Sequence, residues 1–379
     1  MLSLTLLLLV FMLSFGLKGL ALERQSQTRT YYIAAEELDW DYAQGQINQI
    51  TGQAFDEVAN VFVKPADNRI GSVYRKALYK EYIDSSFSKL KEIPAEWQHL
   101  GVLGPVIRAE VGDTIEVVFK NKTALTTSLH PHGVFYEKDS EGALYNDGTS
   151  GDRKLDDVVA PGQTHTYIWK VPERAGPGPH DLSSILWMYH GHTDETRDTY
   201  SGLIGPMIIS AKGMTKANGM PKDVDREFIL LFTVFDENKS WYLKDNIQTH
   251  TQSQHLANTA AKGGKENEAL EEDEDFIESN LMHSINGYVY GNLPMLTMKK
   301  GERVRWYVLA LGTEVDLHTP HWHGQTGLMM GMRMDMLDLL PGDMKILDMV
   351  PDNPGTWLVH CHVNDHIDAG MAARFTVTS

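Results

Sequence analysis

The chain has 379 residues, 42% apolar and 22% charged, and its formal net charge is −17. This length suggests about two or three domains, and the apolar content excludes a disordered or collagen-like chain. The acidic excess argues against nucleic acid as a partner, because its phosphates would be repelled, and is compatible with a cationic substrate.

An apolar run, residues 4–17, lies near the N-terminus and is followed by the small residues Gly19 and Ala21. It is shorter than the roughly 20 residues that a membrane-spanning helix needs, which favours an export signal cleaved near Ala21. We therefore expect residues 1–21 to be a signal peptide and the protein to be secreted, without a stable membrane span. An uncleaved anchor is the alternative, because no Lys or Arg precedes the run.

Four sequence features occur twice in the same order, about 170 to 190 residues apart, which indicates a duplicated domain. The first feature is a strand after a Gly-acid turn, at Gly112 and Gly301, and the second is a His-X-His triplet, at His130 and His321. A Pro-Gly turn follows at Pro161 and Pro341, and a second triplet, with a histidine at each end, follows at His190 and His360. We assign residues 22–211 to the first domain, 212–222 to a linker rich in Gly, Asn and Lys, and 223–379 to the second domain.

Each domain contains short alternating runs bounded by turns, namely residues 31–33, 114–119, 165–171 and 228–235. This pattern predicts an all-β fold of two antiparallel β-sandwiches or Greek-key barrels. Residues 84–91 are the best candidate for a short helix. The polar and then acidic residues 253–276 favour a mobile surface loop, with attraction of cations as the alternative role.

Ten of the sixteen histidines lie in four clusters, and these contain four His-X-His triplets. Residues i and i+2 of a strand point to the same face, so each triplet presents two imidazoles together. Eight such imidazoles exceed the four ligands of a structural zinc ion and predict a multinuclear metal site. They are His130, His132, His190, His192, His321, His323, His360 and His362.

The single cysteine, Cys361, lies between two of these histidines and must point to the opposite face of its strand. Two imidazoles, one thiolate and a weak thioether form the ligand set of a blue-copper electron-transfer centre. The candidates are His318, Cys361, His366 and Met371. The matching positions of the first domain are Thr127, Gly191, Thr196 and Ser201, so we expect one mononuclear copper per chain, in the second domain.

Further motifs are residues 34–43 (AAEELDWDYA), 203–206 (LIGP), 278–280 (ESN), 282–283 (MH), 285–287 (ING), 316–319 (DLHT) and 360–367 (HCHVNDHI). With the histidine clusters, they resemble the multicopper oxidases, and most of all the ceruloplasmin and hephaestin branch. The resemblance covers nearly the whole mature chain and implies two tandem cupredoxin domains where those relatives have six.

The resemblance also implies roles for individual residues, with about four coppers per chain. The ligands of type 1 copper in the relatives match His318, Cys361, His366 and Met371, and those of type 2 copper match His130 and His321. The ligands of the type 3 copper pair match His132, His190, His192, His323, His360 and His362. Cys361, His360 and His362 would relay electrons. Ferrous iron matches Glu278, His283 and Asp365, while a further carboxylate belongs to a domain that this chain lacks, so the iron site is incomplete or borrows an acid from a neighbour.

A calcium site is implied in the turn before Pro161, with Lys138, Arg153, Asp156 and Asp157 as ligands, the first through its carbonyl. Arg153 replaces a glutamine of the relatives and fits only as a carbonyl ligand. Asn121 and Asn238 begin glycosylation sequons. Met330, Met332, Met334 and Met336 alternate at strand spacing, which favours a packed strand face, with binding of cuprous ions as the alternative.

The predicted function is a secreted ferroxidase of iron homeostasis that oxidises ferrous iron and reduces dioxygen to water. The alternatives are a laccase-like oxidase of phenols or aromatic amines, and a non-enzymatic copper-binding relative of clotting factors V and VIII. A two-domain nitrite reductase is disfavoured, because its catalytic copper needs only three histidines.

An assembly is also implied, because in the six-domain relatives the first and last domains of a ring meet at the trinuclear cluster. Three two-domain chains arranged head to tail would form the same ring. We expect a homotrimer with trinuclear clusters between subunits; a monomer with an intrachain cluster is the alternative.

Overall fold

A computed structural model of the chain describes residues 26–250, 273–313 and 316–379. The predicted signal peptide and most of the predicted acidic loop lie outside these residues. Among the residues described, no helix is long and apolar enough to cross a membrane.

The first repeat, residues 28–210, has nine strands. They are β1 (Thr28–Asp41), β2 (Val73–Tyr82), β3 (Ile107–Glu110), β4 (Thr114–Asn121), β5 (His130–Pro131), β6 (Phe135–Tyr136), β7 (Thr164–Lys170), β8 (Ser184–His190) and β9 (Ile204–Ser210). One sheet has the strand order β2-β1-β4-β7-β6, and the other has the order β3-β9-β8-β5.

The second repeat, residues 226–378, has ten strands among its described residues. They are β10 (Arg226–Asp236), β11 (Leu281–Ile285), β12 (Leu296–Lys299), β13 (Val304–Ala310), β14 (Pro320–Trp322), β15 (Gly327–Met329), β16 (Met332–Met334), β17 (Met344–Met349), β18 (Gly355–Cys361) and β19 (Ala372–Thr378). The two sheets have the orders β11-β10-β13-β17-β15-β16 and β12-β19-β18-β14.

The predicted all-β fold is confirmed, and the four predicted runs lie in β1, β4, β7 and β10, Val171 falling one residue past the end of β7. Strand β4 shows why the pattern works: its residues alternate between half-buried and fully buried along the whole strand, as expected for a sheet with one face on the core. The sheets are mixed and not purely antiparallel as predicted, because β1 and β10 each pair in parallel with the equivalent strand of their own repeat, β4 and β13. The two repeats therefore share one sheet plan.

Among the described residues, five short helices connect these strands: α1 (Ala59–Val63), α2 (Glu195–Ser201), α3 (Leu243–His250), α4 (Glu274–Ser279) and α5 (Asn364–Asp368). Single 3-10 turns occupy Ala95–Leu100, Gly151–Lys154, Glu173–Ala175 and Glu237–Lys239. The predicted helix at residues 84–91 is wrong. Asp84 Oδ1 instead accepts the Ser86 amide at 2.9 Å, and Phe87 has a φ of +50°, a local turn that competes with helix formation.

The end of the predicted acidic loop is also different, because Glu274 and Asp275 begin α4. Asp273 caps this helix by accepting the amides of Asp275 and Phe276 at 3.0 and 3.2 Å. Acidic side chains in the first turn of a helix are stabilised by its dipole, which explains a helix within this part of the run.

The alternating methionines do not form the packed strand face that was favoured. Met334 packs partly against the core, but Met330, Met332 and Met336 are 78%, 57% and 42% exposed. They lie on or beside β16, the edge strand of the six-stranded sheet, where no further strand covers them within the described part of the chain.

One apolar core runs through both repeats, since Trp40, Tyr42 and Tyr74 of the first repeat belong to the same cluster as Phe232 and Trp306 of the second. Polar contacts cross this interface as well. Tyr74 donates a hydrogen bond to Asn280 Oδ1 at 2.7 Å, and Trp40 donates to the Gly287 carbonyl at 2.7 Å.

At the centre of the interface, Lys76 of β2 forms an ion pair with Glu237 of the second repeat, and both side chains are fully buried. Lys76 Nζ also donates to the Tyr200 carbonyl at 2.8 Å, and Tyr42 donates to Glu237 Oε1 at 2.6 Å. These partners compensate for the loss of water around both charges.

We predict that Lys76→Met lowers the free energy of unfolding by about 3–5 kcal/mol, because it leaves the Glu237 carboxylate buried and unpaired. Urea denaturation followed by tryptophan fluorescence measures this. Arg303→Ala is the control: it breaks an exposed pair with Asp225 and should cost about 1 kcal/mol or less. Equal small losses in both variants would show that the Lys76 pair is not sealed from water.

Candidate metal centre

The predicted type 1 ligands come together at the end of β18. Cys361 Sγ lies 3.9 Å from His318 Nδ1 and 3.5 Å from His366 Nδ1, and the two Nδ1 atoms are 3.1 Å apart. The three side chains are buried, and their ligand atoms all lie within 4.8 Å of one another. Strand β14 follows His318, and α5 carries His366, so three separate elements supply the set.

Met371 is held next to these three residues by backbone hydrogen bonds. Its carbonyl accepts the Cys361 amide at 3.1 Å, its own amide donates to the His366 carbonyl at 2.9 Å, and its side chain is fully buried. The four residues supply two imidazoles, a thiol and a thioether, the donor set of a blue-copper site.

The protein favours the metal-binding form of the cysteine. Burial opposes ionisation of the thiol, but hydrogen bonds from His318, His366 and the Thr319 amide outweigh it and lower the pKa of Cys361 to about 6. Asp316 Oδ1 lies 3.3 Å from His318 Nε2, on the side of the ring that faces away from Cys361. Such a carboxylate fixes ring orientation and leaves Nδ1 for a metal.

The four histidines of the first repeat, His130, His132, His190 and His192, form one group, the first half-cluster. Their ring centroids lie 5.0 to 5.6 Å apart, and His132 Nε2 is 3.0 Å from His190 Nε2. The geometry follows from strand pairing, since β5 and β8 are antiparallel with His130 directly opposite His190.

The second half-cluster, His321, His323, His360 and His362, repeats this arrangement. Its ring centroids are 4.7 to 5.5 Å apart, His323 Nε2 lies 3.0 Å from His360 Nε2, and His321 is directly opposite His360 in the pairing of β14 with β18. The ligand nitrogens of His321, His323 and His360 lie within 4.8 Å of one another.

Backbone carbonyls contact one ring nitrogen of several of these histidines, which leaves the other ring nitrogen for a metal. Nδ1 of His130, His190 and His360 lies 2.6, 2.9 and 2.7 Å from the carbonyls of Glu141, Gly191 and Cys361. Burial lowers the pKa of His132 to about 4 and of His190 to about 3. These two rings are therefore neutral near pH 7, the protonation state that binds metals.

The two half-clusters are separate within one chain. Every ring contact found among the eight histidines joins two residues of the same repeat. Part of each group faces outward, the side chains of His192 and His321 being 31% and 23% exposed.

The predicted iron ligands are less tightly grouped. His283 is buried, with its ring centroid 5.2 Å from that of His366, and burial lowers its pKa to about 4. Glu278 on α4 and Asp365 on α5 are exposed. Within the described residues, the three do not form a group with all ligand atoms inside 4.8 Å.

The predicted calcium turn contains one carboxylate oxygen that has no hydrogen-bond partner among the described residues. Asp156 is fully buried; its Oδ2 accepts the amides of Glu141 and Gly142 at 2.9 and 2.8 Å, while no residue described donates a hydrogen bond to its Oδ1. Asp157 is already paired with Lys154 at 2.7 Å. An orphaned, buried Asp156 Oδ1 fits a cation ligand.

The remaining predicted calcium ligands lie at the edge of this turn. The Lys138 ammonium pairs with Glu141 and with Asp147 at 3.2 Å, and the Arg153 carbonyl accepts a long hydrogen bond from Thr149 at 3.4 Å. Neither of these contacts involves the free oxygen of Asp156.

The two sequons differ in accessibility. Asn121 is fully buried, and its amide donates to the carbonyls of Leu125 and Val159 at 2.6 and 2.8 Å, so the folded chain does not present it to a transferase. Asn238 is half-buried and donates to the Ile277 carbonyl at 3.0 Å.

Asp198 was not predicted from the sequence; it lies against Gly191, in the triplet at the end of β8. Gly191 matches Cys361, and a Cβ added there would lie 2.7 Å from the Asp198 Cβ. The carboxylate accepts the Trp241 indole at 2.9 Å and the Thr193 amide at 2.9 Å, next to the His190-Gly191-His192 triplet. Burial raises the pKa of Asp198 to about 6. In the sequence, the one sign of this arrangement is Gly191 in the middle of the triplet, because a glycine leaves room for another side chain.

Comparison with known proteins agrees with this geometry. Two family models, both described as multicopper oxidase, match residues 99–213 and 258–379. The chain belongs to the multicopper oxidase family. It is 44% identical over 373 residues to human "Ferroxidase HEPHL1", 43% over 367 residues to human hephaestin and 41% over 357 residues to human ceruloplasmin.

These alignments cover 97%, 94% and 92% of this chain but only 30%, 29% and 30% of the relatives. The chain thus spans about a third of their length. Among solved structures, a crystal structure of a multicopper oxidase superposes with a TM-score of 0.55 at 17% identity, covering 93% of this multicopper oxidase and 89% of that chain. A copper nitrite reductase from Nitrosomonas europaea gives a TM-score of 0.56 at 18% identity, covering 94% and 95%. These likenesses support the two-domain cupredoxin fold.

The electrostatics of Cys361 lead to a prediction for the metal-free, reduced protein. Thiolate absorbance at 240 nm should appear with a midpoint near pH 6 instead of near the ordinary thiol value of about 8.5. The thiol is protonated below this midpoint and ionised above it. Cys361→Ser should abolish the transition, and a midpoint above pH 8 in the parent protein would contradict the proposed hydrogen bonding.

Proposed function

We propose that this multicopper oxidase couples one-electron oxidation of ferrous iron to four-electron reduction of dioxygen to water. The single observation that carries the proposal is the strand segment His360-Cys361-His362. Cys361 faces His318 and His366, while His360 faces His323 on the other side of the strand. One backbone segment therefore connects a mononuclear site to a histidine cluster.

Copper, when bound, supplies reversible one-electron chemistry at the mononuclear site and dioxygen reduction at the trinuclear cluster. The chain supplies the rest. His318, Cys361, His366 and Met371 would hold type 1 copper, His130 and His321 type 2 copper, and the other six histidines the type 3 pair. The covalent bonds from Cys361 to its two neighbours provide the electron path, and the buried rings stay neutral and oriented.

The ferrous substrate is assigned to the surface beside His366. His283 contacts the His366 ring, and the exposed carboxylates of Glu278 and Asp365 lie on α4 and α5. Carboxylate oxygens are hard ligands that favour ferric over ferrous iron, which makes electron loss easier. The name of one relative, human "Ferroxidase HEPHL1", supports this donor.

Asp365→Ala should reduce ferrous-iron oxidation at least about ten-fold, because a ligand carboxylate is lost, while oxidation of an aromatic amine is retained. Oxygen uptake by the copper-loaded protein measures both donors. Asp368→Ala is a matched control, since Asp368 is exposed on the same helix.

If Asp365→Ala oxidises each donor at the same rate as the parent, the proposed iron site is contradicted and the laccase-like alternative is favoured. Absence of oxygen uptake with either donor, despite full copper content, would favour the non-enzymatic alternative.

We also propose that the trinuclear cluster forms between chains, in a head-to-tail homotrimer. Each half-cluster is partly open to solvent, and each holds only half of the required histidines. The interface sealed by Lys76 and Glu237 fixes how the two repeats meet inside one chain. A heterologous contact that closes on itself gives a cyclic oligomer, so each first half-cluster would meet the second half-cluster of the next chain.

Mixing two inactive variants tests this arrangement. His132→Ala disables the first half-cluster and His323→Ala the second, so each homotrimer should be inactive. Co-expression in equal amounts should recover about a quarter of the parent activity, since one junction in four pairs two intact halves. No recovery in mixed oligomers, or a monomer by sedimentation equilibrium of the parent, would support an intrachain cluster instead.

Calcium and export complete the proposal. A calcium ion at Asp156 would neutralise the buried carboxylate whose Oδ1 lacks a partner. The apolar run at residues 4–17 supports export of the protein, and an extracellular ferroxidase would serve iron homeostasis.

A further inference from the structure

The hairpin of β15 and β16 brings several methionines together outside the copper sites. Met330 and Gly331 form its turn, with φ values of +51° and +78°, as in the tight turns that join antiparallel strands. Met329 pairs directly with Met332, and Met334 follows two residues later on the same strand.

This register places three thioethers on one face. Directly opposed residues of an antiparallel pair share a face, with Cβ atoms about 4.5–5.5 Å apart, and residues two apart on a strand share it too. Met329, Met332 and Met334 therefore project together. A methionine side chain is long and flexible, so thioethers whose Cβ atoms are this close can converge on one ion.

Exposure distinguishes this group from a packed core. Met332 is 57% exposed and Met330 at the tip is 78% exposed, although Met329 and Met334 rest partly against the core. Two anchored thioethers and two accessible ones form a site that is both held in place and open to solvent. Exposed methionines on an edge strand bury little apolar surface, so packing alone does not account for their position.

The same strand segment runs beside the copper ligands. Met336 lies opposite His321, Asp335 Oδ2 is 3.6 Å from His321 Nε2, and the Leu339 amide donates to the His318 carbonyl at 2.8 Å. Met332 is four residues before Met336, about 13 Å along an extended strand. An ion at the hairpin would thus lie close to the second half-cluster without using any of its histidines.

We propose that Met329, Met332 and Met334, with Met330 at the mouth, bind one cuprous ion in addition to the four coppers of the oxidase. Thioether sulfur is a soft ligand that selects Cu(I) over the hard cations that carboxylates prefer. The site contains no carboxylate or imidazole of its own, so it is selective for this ion by ligand type. It serves as a point of copper uptake on a hairpin next to the strand that carries His321.

The experiment uses the copper-loaded protein, fully reduced under nitrogen so that no electron transfer accompanies binding. Added Cu(I) is partitioned between the protein and a chromogenic cuprous chelator. The parent should bind one further ion, and Met329→Leu/Met332→Leu/Met334→Leu should weaken this binding at least ten-fold, because leucine keeps the apolar shape but lacks sulfur. Met295→Leu is the control, since Met295 is 43% exposed and lies outside the hairpin.

A second readout covers the case in which the triple variant folds poorly. In protein labelled with 13C at the methionine methyl groups, Cu(I) should shift the Met332 resonance, assigned with the single variant Met332→Leu, and leave that of Met295 unchanged. Iron oxidation should be the same in Met332→Leu and parent, which separates this site from the proposed function. Equal Cu(I) binding by the parent and the triple variant would overturn the proposal. So would a parent protein that binds no further Cu(I) ion, for example because a second copy of the chain covers the hairpin.

Discussion

The two-residue period of β18 is the constraint on which the metal chemistry of this protein depends. Because successive side chains of a strand point to opposite faces, Cys361 turns towards His318 and His366 while its neighbours turn the other way. A single-residue shift in the pairing of β18 would exchange these faces. The buried core on one side of the sheet prevents that shift, so packing away from the metal sites determines which side chain faces which site.

Strand pairing then extends the same order to the other ligands. His130 lies opposite His190 in the first repeat, and His321 lies opposite His360 in the second, so two short strands bring two triplets face to face in each case. Carbonyl acceptors behind His190 and His360 fix the tautomers of these rings, and burial lowers their pKa values. The half-clusters therefore depend on backbone hydrogen bonds as much as on the histidines.

Much of this could be predicted from the sequence because it depends on local periodicity. The alternation of apolar and polar residues predicted the strands, and the His-X-His spacing predicted pairs of ligands on one strand face. The helix at residues 84–91 was wrong because Asp84 bonds to its own backbone, which composition does not reveal. Asp198 was missed because its role depends on space left by Gly191, a relation between two segments. Exposure of Met332 likewise depends on β16 being an edge strand, which requires the sheet order.

The interface between the repeats links this fold to the proposed assembly. The buried Lys76–Glu237 pair, the Tyr74–Asn280 hydrogen bond and the shared apolar core all hold the repeats in one orientation. In that orientation the two half-clusters share no ring contact. Rotating the repeats to join them would break these polar contacts and expose the shared apolar core to water, which costs hydrophobic free energy. Completion by a neighbouring chain leaves that interface intact, which is the physical reason to favour the closed oligomer over an intrachain cluster.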